Sequence, residues 1–237
     1  MQVSPVTKFH SGAGYQYEDS VIYGFTHTNK GHWNLCHIPL LPVTGTPTPG
    51  DYCSPFSHER ESAAPGYYQV FLDRYGVDAQ LSSTLRCAFH KYTYPAGAAA
   101  SLLADLQRSN EHVRAWDIRK EGDNVFAGWQ QTGEKMYFYA VANRPVTGIE
   151  PVVEGDREVR IVRFGEGDGA LELRIGFSFV SEKNARENLE AEMLGKSFAE
   201  VRSEATATWN DLLGRIRVEG GTEREKGLFY SSLYLSL

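Results

Sequence analysis

The middle of the chain, from residue 67 to residue 180, consists of short segments in which apolar and polar residues alternate. This two-residue period is that of a strand that buries one face. Turn signals such as Gly122-Asp123-Asn124 separate the segments, and helical periodicity is almost absent among them. The pattern predicts a large antiparallel β-sandwich or barrel. The predicted strands are Tyr67–Leu72, Val77–Ser82, Leu85–Tyr94, Val113–Arg119, Val125–Gln131, Met136–Ala142, Val159–Phe164 and Leu171–Val180.

The last part of the chain changes to a helical period. Residues 182–193 are polar and favour a helix, and apolar residues recur on one helical face across residues 198–213. Thr222 and Glu225 form a capping-box pattern that predicts a third helix. That helix is apolar on too many sides for a tail in solvent, so we expect the native chain to continue into a helical domain.

Composition excludes several classes of protein. The net charge of -6, with acids and bases interspersed, disfavours nucleic-acid binding, which requires a basic face. No apolar run approaches the ~20 residues of a membrane span. No signal peptide is visible, so we expect either a cytoplasmic protein or a longer native N-terminus.

The three cysteines lack metal or redox spacing; they predict free thiols, or one bridge plus a free thiol.

The segment from Tyr23 to Pro42 carries the densest group of polar and aromatic side chains between two apolar runs. Amides and imidazoles can bond sugar hydroxyls, and an indole can pack on a sugar ring. The histidine spacing matches no standard zinc motif. Three interpretations follow from the residues: a ligand-facing loop, structural hydrogen bonding, or a metal site. The candidate ligand contacts are His27, Asn29, Lys30, His32, Trp33 and Asn34.

Other polar residues are weaker candidates. Glycoside hydrolysis usually employs a pair of carboxylates, and no acid here stands in a distinctive frame. We expect Asp105 to be a surface or turn residue. His58, Glu59 and Glu61 could be polar site residues, but a solvated turn is the favoured interpretation. His90, within a predicted strand, is expected to be a hydrogen-bonded structural histidine.

Several ordered blocks give the chain a family resemblance. It resembles glycoside hydrolase family 92 from about residue 24 to its end, and the blocks together are far more specific than any one alone. They are GFTHT at 24–28, LLPVTG at 40–45, FSH at 56–58 followed by PGYY at 65–68, LSSTLR at 81–86, FHKYTYP at 89–95, the segment at 179–189, WN at 209–210 and the segment from GGT at 220–222 to residue 234.

The resemblance implies an exo-acting α-mannosidase that inverts the anomeric carbon and requires calcium. It implies a mainly-β fold, a supersandwich like that of galactose mutarotase, joined by helices to an (α/α)6 barrel. Residues 1–180 would be the sandwich, and residues 181–237 the helical linker into a barrel that this chain lacks. The general acid, the general base and the calcium ligands would come from the barrel. No catalytic or metal-binding residue is therefore expected in this chain.

The same resemblance makes residues 27–34 a substrate-facing loop, with Trp33 packing on a sugar. The expected partners are a mannose-containing oligosaccharide and the catalytic domain of the same chain, in N-glycan processing, with a secreted or periplasmic location. The family block reads HTHLSGTG, whereas NKGHW follows His27-Thr28 here. Linkage specificity is therefore open, and Lys30 and the histidines would tolerate an anionic group such as a phosphate beside mannose. The alternative is a non-catalytic carbohydrate-binding sandwich, against which the amphipathic helical segments argue.

Overall fold

The computed structural model describes residues 3–31 and 33–236. Within these ranges the strands, in chain order, are β1 (Ser4–Val6), β2 (Val21–Ile22), β3 (Gly24–Thr26), β4 (Asn29–Lys30), β5 (Trp33–Asn34), β6 (Leu40–Val43), β7 (Ser54–Pro55), β8 (Glu61–Ala64), β9 (Tyr67–Leu72), β10 (Val77–Ser83), β11 (Cys87–Thr93), β12 (Ser101–Ala104), β13 (Ala115–Gly122), β14 (Val125–Gln131), β15 (Lys135–Ala142), β16 (Val146–Glu154), β17 (Arg157–Phe164) and β18 (Leu171–Ser178). The α-helices are α1 (Glu182–Met193), α2 (Phe198–Leu213) and α3 (Glu223–Ser236), and His58–Arg60 form a 3-10 turn.

Two antiparallel sheets contain most of these strands. One has six strands in the order β1-β3-β6-β12-β17-β16, and the other has eight in the order β13-β14-β15-β18-β11-β10-β9-β8. The main apolar core draws on both sheets, with Leu103 and Ile161 from the first and Phe126 and Phe138 from the second. The two sheets therefore pack face to face, which confirms the predicted antiparallel β-sandwich.

The alternation seen in the sequence is the alternation of burial. In β15 every second residue, from Met136 to Ala142, is buried, and the residues between them are partly exposed. Strands without this pattern were missed by the sequence analysis. β12 is buried at all four positions, so it shows no alternation. β16 forms the edge of its sheet and is largely exposed, so apolar spacing does not mark it.

The helices α1 and α2 add a third layer on the outer face of the eight-stranded sheet. Leu189 and Met193 of α1 and Phe198 and Val201 of α2 form a second apolar cluster, with strand residues such as Phe89. Serine caps start both helices, and Ser197 forms a full capping box with Glu200. The predicted bounds of α1 and α2 agree with the structure. None of the helices in the described ranges is long and apolar enough to cross a membrane.

Candidate functional site

The candidate loop contains a short hairpin, formed by β4 and β5 and called here the 29–34 hairpin. Asn29 pairs with Asn34, and Lys30 with Trp33. Gly31 has a φ of +58°, a left-handed conformation that glycine adopts without steric cost. The Asn29 side-chain amide donates to the Gly31 carbonyl at 3.0 Å, which supports the turn. These contacts fix the described residues of the hairpin relative to one another.

The hairpin presents three of the predicted contact residues to solvent. Asn29 and Lys30 are exposed, and Trp33 has 55% of its surface exposed. The Trp33 ring lies beside the Gly12 backbone, where an added Cβ would sit 3.5 Å from it. His32, also predicted as a contact, lies outside the described residues. This face offers an indole, an ammonium group and an amide to a ligand.

His27 does not belong to that exposed face. Its side chain is fully buried, with Nε2 3.2 Å from Nε2 of His90 and the ring 4.7 Å from that of Phe177. Burial lowers the pKa of His27 to about 3 and lowers that of His90 well below its usual value. Both imidazoles are neutral at physiological pH. The expectation of a ligand contact at His27 is corrected by this burial, whereas the structural role expected for His90 is confirmed.

Asn34 is also buried and structural rather than ligand-facing. Its Oδ1 accepts a hydrogen bond from the Cys36 amide at 2.8 Å, and its Nδ2 donates to the Ser4 hydroxyl at 2.8 Å. Its carbonyl accepts from the Asn110 side chain at 2.6 Å. These bonds satisfy the side-chain amide inside the protein, so Asn34 anchors the end of β5 to the sandwich.

The backbone below the hairpin is strained. Cys36 and Ile38 have φ values of +54° and +51°, which are rare for residues other than glycine and are outliers for a β-branched side chain. The Gln130 side chain accepts from the Ile38 amide at 2.9 Å and donates to the carbonyls of Leu106 and Arg108, each at 2.9 Å. Gln130 thus joins three segments and holds the strained one in place.

His37 lies between the two strained residues and points into a polar cluster. Its Nε2 is 3.0 Å from Glu111 Oε2 and 3.2 Å from Thr132 Oγ1, and the Thr132 hydroxyl donates to Glu111 at 2.8 Å. Burial lowers the pKa of His37, and the Thr132 hydrogen bond lowers the pKa of Glu111. The contact is therefore a neutral imidazole donating to a carboxylate, which is a charge-assisted hydrogen bond.

Asp105 is not the surface or turn residue that the sequence predicted. It is fully buried, and its Oδ2 accepts from the Tyr52 hydroxyl at 2.7 Å and from the Arg157 guanidinium at 2.9 Å. Burial raises the pKa of Asp105 despite these partners. The expectation was wrong because the acid follows a fully buried strand and meets a cation from a distant one.

Glu61 and His58 form a bonded cluster instead of a solvated turn. Glu61 accepts from the hydroxyls of Tyr68 at 2.6 Å and Tyr15 at 3.0 Å. His58 Nδ1 is 2.6 Å from Glu61, and its Nε2 is 2.7 Å from the Tyr17 carbonyl. Because both ring nitrogens face acceptors, the imidazolium form is favoured, and the hydrogen bond to Glu61 raises the pKa of His58.

The described residues contain no group of three or more His, Cys, Asp or Glu side chains placed to hold a metal ion. Cys36, Cys53 and Cys87 are free thiols, as the first of the two cysteine interpretations predicted. Burial raises the pKa of Cys36 and of Cys87 to about 12, so both thiols are protonated and inert.

Sequence reasoning missed Glu111, Gln130 and Thr132. Each lies more than 70 residues from the residue that it contacts below the hairpin, His37 or Ile38. No spacing or local pattern marks them, because their role depends on which segments the sandwich brings together.

Family models match the whole chain. The model of the glycosyl hydrolase family 92 N-terminal domain matches residues 1–189, and the model of that family's catalytic domain matches residues 184–237. The chain belongs to glycosyl hydrolase family 92.

Solved structures agree with this assignment. A family GH92 α-mannosidase from Bacteroides thetaiotaomicron has a TM-score of 0.89 and 26% identity, covering 98% of this chain and 37% of its own. The structure of a family GH92 α-mannosidase from the same organism in complex with mannoimidazole has a TM-score of 0.88 and 26% identity. This match covers 98% of the present chain and 36% of the other one. Among curated proteins, an uncharacterized secreted glycosidase of Arthroderma benhamiae is 23% identical, covering 99% of this chain and 37% of its own. This chain thus spans little more than a third of these relatives.

Proposed function

We propose that this chain is the N-terminal part of an inverting, calcium-dependent exo-α-mannosidase that acts on mannose-containing glycans. The observation that carries the proposal is the order of the two family matches, with the N-terminal domain running into the start of the catalytic domain. The mannoimidazole complex of a relative at 26% identity supports a mannose-based ligand. The secreted glycosidase among the relatives supports a secreted protein.

In this proposal the chain supplies one wall of the substrate pocket. Trp33 packs its half-exposed indole on the apolar face of a sugar, and Asn29 and Lys30 donate hydrogen bonds to sugar hydroxyls. His27 and Asn34 act only by holding the hairpin from below. The Lys30 charge also contributes to lowering the pKa of Glu111, after the hydrogen bonds from Thr132 and His37.

The general acid and the general base belong to the remainder of the protein. In an inverting enzyme the acid protonates the leaving oxygen while the base activates water on the opposite face of the ring. In this proposal the calcium ligands also belong to the remainder of the protein. The present domain would fix the sugar for that single displacement, and positioning of this kind contributes several kcal/mol to catalysis.

The experiment is to assay the full-length protein on aryl α-mannosides and mannose disaccharides, with and without a calcium chelator. We expect mannose release that stops on chelation and returns with calcium, and we expect β-mannose as the first anomer seen by NMR. Initial release of α-mannose would refute inversion. Activity unchanged by the chelator would refute the calcium requirement.

The hairpin is tested separately with Trp33→Ala in the full-length protein. Loss of a sugar-stacking indole should raise KM about tenfold, because a buried aromatic contact is worth on the order of 1–2 kcal/mol. An unchanged KM would remove the hairpin from the pocket. The carbohydrate-binding module receives no support, since residues 184–237 match a catalytic-domain model.

A further inference from the structure

The base of the 29–34 hairpin cannot keep its shape by local preference alone. Cys36 and Ile38 are both left-handed, and an isolated chain of this sequence would relax to ordinary backbone angles. The shape persists because distant side chains hold it. One of these contacts reaches His37, the residue between the two strained positions, from the segment that follows β12.

Glu111 is the centre of that contact. Its Oε2 accepts from the His37 ring at 3.0 Å and from the buried Thr132 hydroxyl at 2.8 Å. The Glu111 side chain is itself 44% exposed, unlike the His37 side chain at 4%. The carboxylate therefore spans the boundary between the protein interior and the surface that the hairpin presents.

Glu111 also acts on the exposed side of the hairpin. The Lys30 ammonium is close enough to help lower the pKa of Glu111. The carboxylate thus holds the segment under the hairpin through His37, and its charge is felt as far as Lys30 on the outer face. The neighbouring residues add to this anchor, since the Asn110 amide and the Ser109 hydroxyl both donate to the Leu35 carbonyl, at 3.0 and 2.8 Å.

We propose that Glu111 is a positioning residue that fixes the 29–34 hairpin, and with it Trp33 and Lys30, for binding of the sugar. This rests on the proposed function of the hairpin. Glu111 does not touch the substrate in this scheme; it acts through its hydrogen bond with His37. Its loss should weaken substrate binding while leaving the chemical step, which belongs to another domain, largely intact.

The test compares Glu111→Ala with Glu111→Gln in the full-length protein. We expect Glu111→Ala to raise KM for an aryl α-mannoside about tenfold with kcat changed less than about threefold. Glu111→Gln keeps an oxygen that accepts from His37 and Thr132, so it should restore KM to within about threefold of wild type. Glu134→Ala is the matched control, because it removes an exposed carboxylate from the turn that follows Thr132. Among the described residues, the Glu134 side chain makes no hydrogen bond.

A second measurement does not depend on activity. Hydrogen exchange of the peptide covering residues 33–38 should be at least about tenfold faster in Glu111→Ala and unchanged in Glu134→Ala. The proposal is overturned if the exchange rate and the KM of Glu111→Ala both equal those of Glu134→Ala. So would a general loss of thermal stability and kcat that Glu111→Gln fails to rescue, since that result means a purely structural role.

The Trp33→Ala variant separates this proposal from the one on which it rests. If Trp33→Ala raises KM and Glu111→Ala does not, positioning by Glu111 is wrong while the hairpin remains part of the pocket. If neither variant changes KM although exchange is faster in Glu111→Ala, the hairpin does not bind the sugar. In that case the proposed function of the hairpin fails, and the positioning role fails with it.

Discussion

Replacing Gly176 with alanine tests how tightly α1 packs on the sandwich. Gly176 lies in β18 directly under Ala185 and Leu189 of α1. An added Cβ would sit 2.1 Å from the carbonyl oxygen of Ala185 and 2.8 Å from the Cβ of Leu189. Both atoms belong to the helix at or next to its backbone, so neither can move aside without moving α1.

The magnitude follows from that geometry. Overpacking a well-packed interior typically costs about 1–3 kcal/mol. Because two helix atoms would lie well inside contact distance, we place Gly176→Ala near the upper end, at about 3 kcal/mol. A local destabilisation of this size corresponds to roughly a hundredfold increase in opening of the helix.

Hydrogen exchange of the α1 peptide in the full-length protein measures this opening. We expect amides of residues 185–193 to exchange roughly a hundredfold faster in Gly176→Ala. Gly148→Ala is the matched control, since it adds the same methyl to a strand glycine with nothing within 4 Å. Exchange within twofold of wild type in Gly176→Ala would refute the close helix–sheet contact.

Three further predictions concern the polar clusters. Gln130→Leu should destabilise the sandwich by about 3 kcal/mol, measured as a fall in Tm, because it leaves a buried amide and two carbonyls unpaired. Asp105→Ala should lower the free energy of unfolding by about 2–3 kcal/mol, measured by the same assay. The loss is smaller than for a fully buried ion pair because Arg157 is partly exposed. As a control, Asp51→Ala removes an exposed ion pair and should leave Tm unchanged. The pKa of His58 is raised on folding, so the stability that its protonation adds is fully present below about pH 6.5 and is lost as the pH rises through the higher folded pKa. The Tm difference between wild type and His58→Gln should therefore shrink from pH 6 to pH 9. A difference that grows over this range would contradict the contact with Glu61.

The regular elements could be predicted because their signals are local. β9 and β14 have the bounds that alternation predicted, and α1 and α2 have those that helical spacing and polar composition predicted. A strand or helix that buries one face must repeat its apolar residues at the backbone's own period. The ordered motif blocks added the family, since they lie in sequence and need no knowledge of contacts.

The candidate site was predicted only in outline. The sequence identified residues 27–34 as a polar and aromatic loop, but it did not separate Asn29, Lys30 and Trp33 on the surface from His27 and Asn34 inside. A histidine has the same local sequence signal whether it contacts a ligand or a second buried histidine. Its environment is decided by the strand that packs against it.

By itself the sequence determined the mainly-β class, the helices at the end of the chain and the family to which the chain belongs. Only the tertiary structure decided that Glu111, Thr132 and Gln130 converge on His37 and Ile38 below the hairpin, and that Asp105 is buried beside an arginine. The physical reason is the separation along the chain over which each effect acts. Backbone period and turn chemistry act over a few residues, whereas the burial and charge state of a polar group depend on segments that meet only when the two sheets pack.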